Sequence, residues 1–172
     1  MAVDRQLDEH LQGLVEKHAR RGVLVDSSLL IVLLIGRHNR LALTRFPHTK
    51  RYQPDEFDIL DRFVRLFDRI ITTPHVLTEV SNLAGRLQAE AVCRFRRLFA
   101  QEVELYDERQ CEARQLVRGD QFVRLGLTDA AIASIARDRL LVLTDDLALG
   151  GALQKVGIDV VNFTHLRPLA WG

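Results

Sequence analysis

Leu140-Leu141-Val142-Leu143-Thr144-Asp145-Asp146 decides the fold: four apolar residues in succession run into a threonine and two acids. A strand with one wet face would alternate apolar and polar residues. A short unbroken apolar run reads instead as a strand buried on both faces, as in a parallel sheet covered by helices. The same pattern occurs at Val23-Leu24-Val25, which leads into Asp26, and at Ile70-Ile71 and Val160-Val161. Val103 to Tyr106 is read as a further strand, the third in chain order.

The stretches between these runs have helical spacing. Residues 27–36 are apolar on nearly every side, and Phe57, Leu60, Phe63, Val64 and Phe67 mark a helix over 55–68. Thr73-Pro74 is a helix start, with threonine as the cap and proline where a missing N–H costs nothing. That helix is expected to reach about Leu83, and another to span 86–101. Residues 108–118 are expected to be helical and Gly119–Gly126 a turn region. Thr128 is expected to cap a helix ending near Arg137, and residues 146–155 form a helix closed by Gly157. Alternating strands and helices predict an α/β fold: a three-layer α/β/α sandwich around a central, mainly parallel five-stranded sheet.

A length of 172 residues suits one such domain. Two regions stand apart from the core pattern. Residues 1–21 form an N-terminal helical extension in which Leu7, Leu11, Leu14 and Val15 make one apolar stripe, ended by Gly22. A helix this short needs a surface for its stripe: the domain's own flank, a second copy of the chain, or an inhibitor-like partner. The remaining domain, 22–172, carries a basic insertion near 37–54. It holds Arg37, Arg40, Arg45, Lys50 and Arg51 with no acid among them. With Phe46 and Tyr52 this segment resembles single-strand binding chemistry, in which cations follow phosphates and rings stack on bases. Arg94, Arg96 and Arg97 read as a solvated helix face.

Net charge is only +1, so attraction for a polyanion must be local. No apolar run is long enough to cross a bilayer, and no secretory-signal pattern opens the chain. Cys93 and Cys111 lack the spacing of a thiolate metal site and are expected to be small buried hydrophobes in helical segments. The expected compartment is a reducing cytoplasm.

Four carboxylates share one topological place. Asp26 follows the first strand, Glu79 lies in the helix after the second, Asp129 begins the helix before the fourth, and Asp146 follows the fourth. Sites in open parallel sheets form beyond the carboxyl ends of the strands. Each acid alone has a simpler reading as a helix cap or exposed side chain. Together they suit Mg²⁺ or Mn²⁺, which take hard oxygen ligands and polarise phosphate esters. Asn82 shares a helical face with Glu79. No glycine-flanked serine, glycine-rich phosphate loop or histidine metal spacing competes; His75 reads as an ordinary partly exposed residue.

These residues carry a resemblance. Val-Leu-Val-Asp26-Ser-Ser, Thr-Pro-His-Val-Leu-Thr-Glu79-Val-Ser-Asn, Leu-Thr-Asp129-Ala-Ala-Ile and Leu-Thr144-Asp-Asp146 are similar, in order and context, to the four motifs of the PIN domain family. The resemblance covers about residues 22–162. It implies a metal-dependent endoribonuclease with Asp26, Glu79, Asp129 and Asp146 as catalytic metal-binding acids. Ser28, Asn82, Thr144 and Asp145 would line the site, Thr144 orienting Asp146. RNA is the implied substrate, with Arg45, Lys50 and Arg51 as RNA-binding candidates. Many members are toxins held by antitoxins, which admits an inhibitor protein as partner; the long basic insertion departs from compact toxins. A non-catalytic RNA-binding or scaffold module and a DNA-directed nuclease stay open as alternatives.

Overall fold

The computed structural model describes residues 2–85 and 89–166, with side chains described over 9–85 and 91–166. Helix α1 (Ala2–His18) leads to β1 (Val23–Val25), then α2 (Ser27–Asn39), a 3-10 turn at Arg40–Arg45, α3 (Pro54–Val64), β2 (Ile70–Thr72) and α4 (Pro74–Ala84). There follow α5 (Ala89–Val103), β3 (Asp107–Glu108), α6 (Ala113–Leu116), α7 (Asp120–Leu125), α8 (Leu127–Ala136), β4 (Leu141–Thr144), α9 (Leu147–Lys155) and β5 (Val160–Asn162). The five strands form one sheet in the order β3-β2-β1-β4-β5, and every pairing is parallel. The fold is the expected α/β/α sandwich.

Its core sits where the unbroken apolar runs placed it. All of β1 and β4 is buried, and so is Leu29 to Gly36 of α2, which packs against α3, α4 and α5. Val25 pairs with Leu143, and the N–H of Asp26 extends the ladder by donating to the Leu143 carbonyl at 3.1 Å. Asp26 is thereby fixed beside Thr144. Thr73 caps α4 as expected, its hydroxyl accepting from the Val76 N–H at 3.2 Å. Among the described residues no helix is long and apolar enough to cross a membrane.

Several local expectations are corrected. The third strand is not Val103–Tyr106: α5 runs through Val103, and Leu105 and Tyr106 turn back onto the Glu102 and Val103 carbonyls. The strand is the charged pair Asp107–Glu108, at the sheet edge where one side needs no apolar cover. Residues 108–118 are not one helix, because the Arg109 N–H stays bonded to the Thr72 carbonyl and only Ala113–Leu116 coils. Gly119–Gly126 is not a turn region but holds α7. Thr128 does not cap α8. Gly126, at φ 92°, closes α7 and opens α8 in one residue, a conformation costly for any side chain. Cys93 is exposed, and Cys111 is half-buried and outside any helix, so neither is a core hydrophobe.

The segment 37–54 is not an open loop. It continues α2 and turns through the 3-10 helix, and Leu43, Phe46, Thr49 and Tyr52 are buried. Phe46 and Tyr52 therefore present no ring for a base to stack on. Arg37 bridges Asp61 (2.8 Å) and Glu102 (2.6 Å), and Arg40 pairs with Asp55 and Asp58, so these two cations fasten α2 to its neighbours. Proline and charge had marked the segment as a loop; its sparse apolar residues decide its packing.

The stripe of α1 lies on the domain's own flank. Leu11 and Leu14 join the main core, and Val15 packs against it; the side chain of Leu7 lies outside those described. His18 is buried with its Nε2 2.7 Å from Asp159, just ahead of β5. Removing most of a buried leucine leaves a cavity beneath the helix, so Leu14→Ala is expected to cost about 2–3 kcal/mol. Denaturant unfolding measures it. A loss below about 0.5 kcal/mol, the size of an ordinary surface change, would mean that α1 rests only loosely on the core.

Candidate active site

The sheet order makes the site's location a matter of topology. From β1 the chain moves outward to β2 and β3, and then returns to the other side of β1 for β4 and β5. The crevice at this reversal lies beyond the carboxyl ends of β1 and β4. Asp26 follows β1; Asp145 and Asp146 follow β4. Helix α8 runs into β4, so its first turn, with Asp129, returns to the same edge. Helix α4 leaves that edge after β2 and carries Glu79 one and a half turns in. A cavity of about 240 Å³ opens there, lined by Asp26, Ser27, Ser28, Arg51, Glu79, Asp129, Asp145, Asp146 and Leu149. All four acids of the motifs and Asp145 thus face one space.

Their partners divide them into roles. Asp26 caps α2, its Oδ1 accepting from the Leu29 N–H at 2.8 Å; Ser28 Oγ lies 3.0 Å from the same oxygen and 2.5 Å from Asp145 Oδ1, its one proton serving one carboxylate at a time. Its Oδ2 accepts a hydrogen bond from Thr144. Thr144 Oγ1 in turn accepts from the Asp146 N–H at 3.0 Å, so one hydroxyl ties the ends of β1 and β4 together. Asp146 commits Oδ1 to the α9 cap, accepting from Ala148 and Leu149. Glu79 Oε2 accepts from Ser27 at 3.0 Å, which turns the side chain back toward β1.

Asp145 differs from the others. Its side chain is 5% exposed and accepts from Arg51 (2.5 Å) and Tyr52, and it shares the Ser28 hydroxyl with Asp26. Its charge is answered by a guanidinium and its oxygens are filled. Burial and the neighbouring Asp145 carboxylate hold the Tyr52 phenol far above its usual range, so it stays a proton donor in this contact. Sequence reasoning did not find the Arg51–Tyr52–Asp145 anchor. The only signal was a tyrosine inside a basic segment, and it was assigned to base stacking.

Asp129 is the opposite case. Among the described residues it makes no hydrogen bond or ion pair, and it leaves the α8 cap to Gly126. Burial and the negative charges of Asp146, Asp26 and Glu79 push its carboxyl up to about 7. Burial likewise raises Asp26 to about 6, against the lowering effect of the Thr144 bond. Burial is the larger cause of both shifts, and the neighbouring carboxylates add to it, Asp145 at Asp26 and three acids at Asp129.

The donor set fits a hard divalent cation, since Asp26, Glu79, Asp129 and Asp146 offer oxygen alone. Convergence is incomplete, however. Among the described residues no three histidine, cysteine, aspartate or glutamate side chains come close enough to hold an ion as they are placed. Like charges spread from one another, and Glu79 and Asp146 each lean on a neutral protein donor instead. The shared cavity brings the acids together, but side chains would have to rotate before they could hold an ion.

A second cleft, of about 430 Å³, adjoins the first at Glu79 and runs along α4 past Thr78 to Asn82, opposite Leu127 and Thr128. Asn82 is exposed on this wall. His75 is half-buried there, its Nδ1 3.7 Å from the Cys111 sulfur. Arg45 and Lys50 are exposed and make no ion pair among the described residues, and Arg94, Arg96 and Arg97 are exposed on α5. Family models, curated proteins and solved structures, when compared with this chain, gave no match.

Proposed function

We propose that the chain is a metal-dependent nuclease of the PIN type that hydrolyses RNA phosphodiesters. The observation that carries this reading is the meeting, at the switch point of a parallel sheet, of acids from four separate elements. One of them, Asp129, makes no hydrogen bond or ion pair among the described residues and faces only other acids. Asp26, Glu79, Asp129 and Asp146 would hold Mg²⁺ or Mn²⁺. Such an ion neutralises the phosphate and lowers the pKa of attacking water. The chain's own residues prepare the place. Thr144 and Ser28 hold the Asp26 carboxylate, Ser27 turns Glu79 inward, and Arg51 and Tyr52 keep Asp145 neutralised as a wall of the pocket. The cleft along α4, with the Thr78 hydroxyl and the Asn82 amide, gives the strand a route away from the acids.

A cytoplasmic setting accords with two free cysteines. Toxin-like regulation by an inhibitor protein, or self-association, belongs to the same reading. The second reading, a non-catalytic RNA-binding module, draws its support from the incomplete convergence of the acids. Incubation of mixed cellular RNA with Mn²⁺ separates the two. Cleavage is expected with Mn²⁺ and not with EDTA, and Asp129→Asn is expected to lower it by about 100-fold or more. RNA that is bound but left whole in Mn²⁺ would turn the assignment to the binding module; cleavage of DNA in place of RNA would change the substrate.

A further inference from the structure

The edge of the sheet opposite the acids carries the opposite charge. Two adjoining clefts, of about 330 and 430 Å³, share Arg137 and Val156 there. Their linings contain six cations, Lys17, Arg21, Arg124, Arg137, Arg139 and Lys155, against two acids, Asp120 and Asp159. In a chain of net charge +1 this is a marked local excess. The topology makes it: Arg21 precedes β1, Arg137 and Arg139 precede β4, and Lys155 ends α9 ahead of β5. Those positions lie at the amino ends of the strands, whereas Asp26 and Asp146 lie at their carboxyl ends.

Internal pairing does not use this charge up. Asp159 is held by Lys17 and His18, but Arg21, Arg124, Arg137, Arg139 and Lys155 make no ion pair among the described residues, and all five are exposed. Complementing helix carboxyl ends accounts for Lys17, Arg124 and Lys155, which sit in last turns. Arg21, Arg137 and Arg139 lie beyond those turns. Arg139 also holds a φ of 62°, unusual for a side chain of its size, at the tip between α8 and β4.

We propose that this face is a second nucleic-acid contact that binds the phosphate backbone of an RNA reaching beyond the acid pocket. Two clefts in series suit an extended polyanion better than a single anion, and exposed guanidinium forks suit phosphate oxygens. The four residues of β4 separate the two edges by roughly 13 Å of strand. An RNA touching both therefore has several nucleotides, and a short oligonucleotide reaches one edge alone. This contact rests on the reading of the chain as an RNA-acting protein but needs no bound metal.

The test is equilibrium binding of fluorescent polyuridylate to the full chain in EDTA, over a range of salt, where no hydrolysis intervenes. Wild type is expected to bind with a steep salt dependence. Arg21→Gln, Arg137→Gln and Arg139→Asn together are expected to reduce the log–log slope by about 2, since roughly 0.7 counterion is released per phosphate contact on a single strand. Asparagine keeps the left-handed backbone of position 139 accessible, and thermal melts confirm that the triple variant is folded. An unaltered slope in a folded triple variant, no wild-type binding at low salt, or tighter capture of polyglutamate than of polyuridylate would each overturn the proposal.

Discussion

Asp26→Asn is expected to abolish RNA cleavage, by more than about 100-fold, while leaving the protein folded and, without divalent metal at alkaline pH, more stable than wild type. The two halves of this expectation come from one environment. Asp26 lies 5% exposed at the end of β1, where burial raises its carboxyl to about 6. At pH 8 its charge is held at a cost. Asparagine keeps an oxygen to accept from the Leu29 N–H, so the α2 cap survives. It removes the charge that a cation needs and leaves the Thr144 hydroxyl to choose a new acceptor. An ordinary structural aspartate would show the reverse, with lost stability and activity lowered only in proportion to unfolding. Asp145→Asn is the internal contrast. Its charge is paired with Arg51, so its loss should destabilise the pocket wall without the same collapse in rate. Initial rates on one RNA, with melts in EDTA, give both readings. Wild-type cleavage by folded Asp26→Asn protein would remove Asp26 from the catalytic set.

The sequence showed the central strands and their acids because these were the places where one residue choice was decisive. β1 is apolar throughout and β4 is apolar up to Thr144, and every residue of both is buried because both faces are covered. Asp26 and Asp146 follow directly, since an acid after such a strand has only the carboxyl edge to occupy. Legibility failed where structure depends on distant partners. Asp107–Glu108 pairs as a strand only because the edge of β2 is available to it. Arg51 and Tyr52 look like solvent-facing groups until Asp145 is seen beneath them. The basic face was invisible because its cations come from α1, α7, the α8–β4 tip and α9. No window of sequence contains more than a few of them, and the near-neutral total conceals the separation of charge.

That separation has a thermodynamic consequence at the acid edge. Without divalent metal the protein is expected to lose stability as pH rises from 5 to 8, and to regain it when Mn²⁺ is added at pH 8. The sign follows from the direction of the shifts. Asp26 and Asp129, near 6 and 7 when folded, lie above the 3.8 of an unperturbed aspartate, so in this interval the folded state binds more protons than the unfolded one. Stability from these groups is fully present below the unfolded value and is lost as pH climbs through 6 and 7. The loss is on the order of 2–3 kcal/mol, with the Asp129 share discounted because that side chain is partly in contact with solvent. Asp61 and Asp159, lowered mainly by their basic partners against the cost of burial, contribute a loss of opposite sign only below about pH 4, outside the interval. Mn²⁺ at about 100 times its dissociation constant should return roughly 2.7 kcal/mol, or about 5–10 °C in melting temperature for a chain of this size. At pH 5 the response should be smaller, because protons and metal compete for the same oxygens. The quantity to read is the difference between wild type and the Asp26→Asn, Asp129→Asn double variant, which cancels the histidines and every remote carboxylate. A double variant with the wild-type pH slope would show that the charge build-up lies elsewhere. A double variant with the wild-type Mn²⁺ response would place the cation away from these acids, and the nuclease reading would lose its centre.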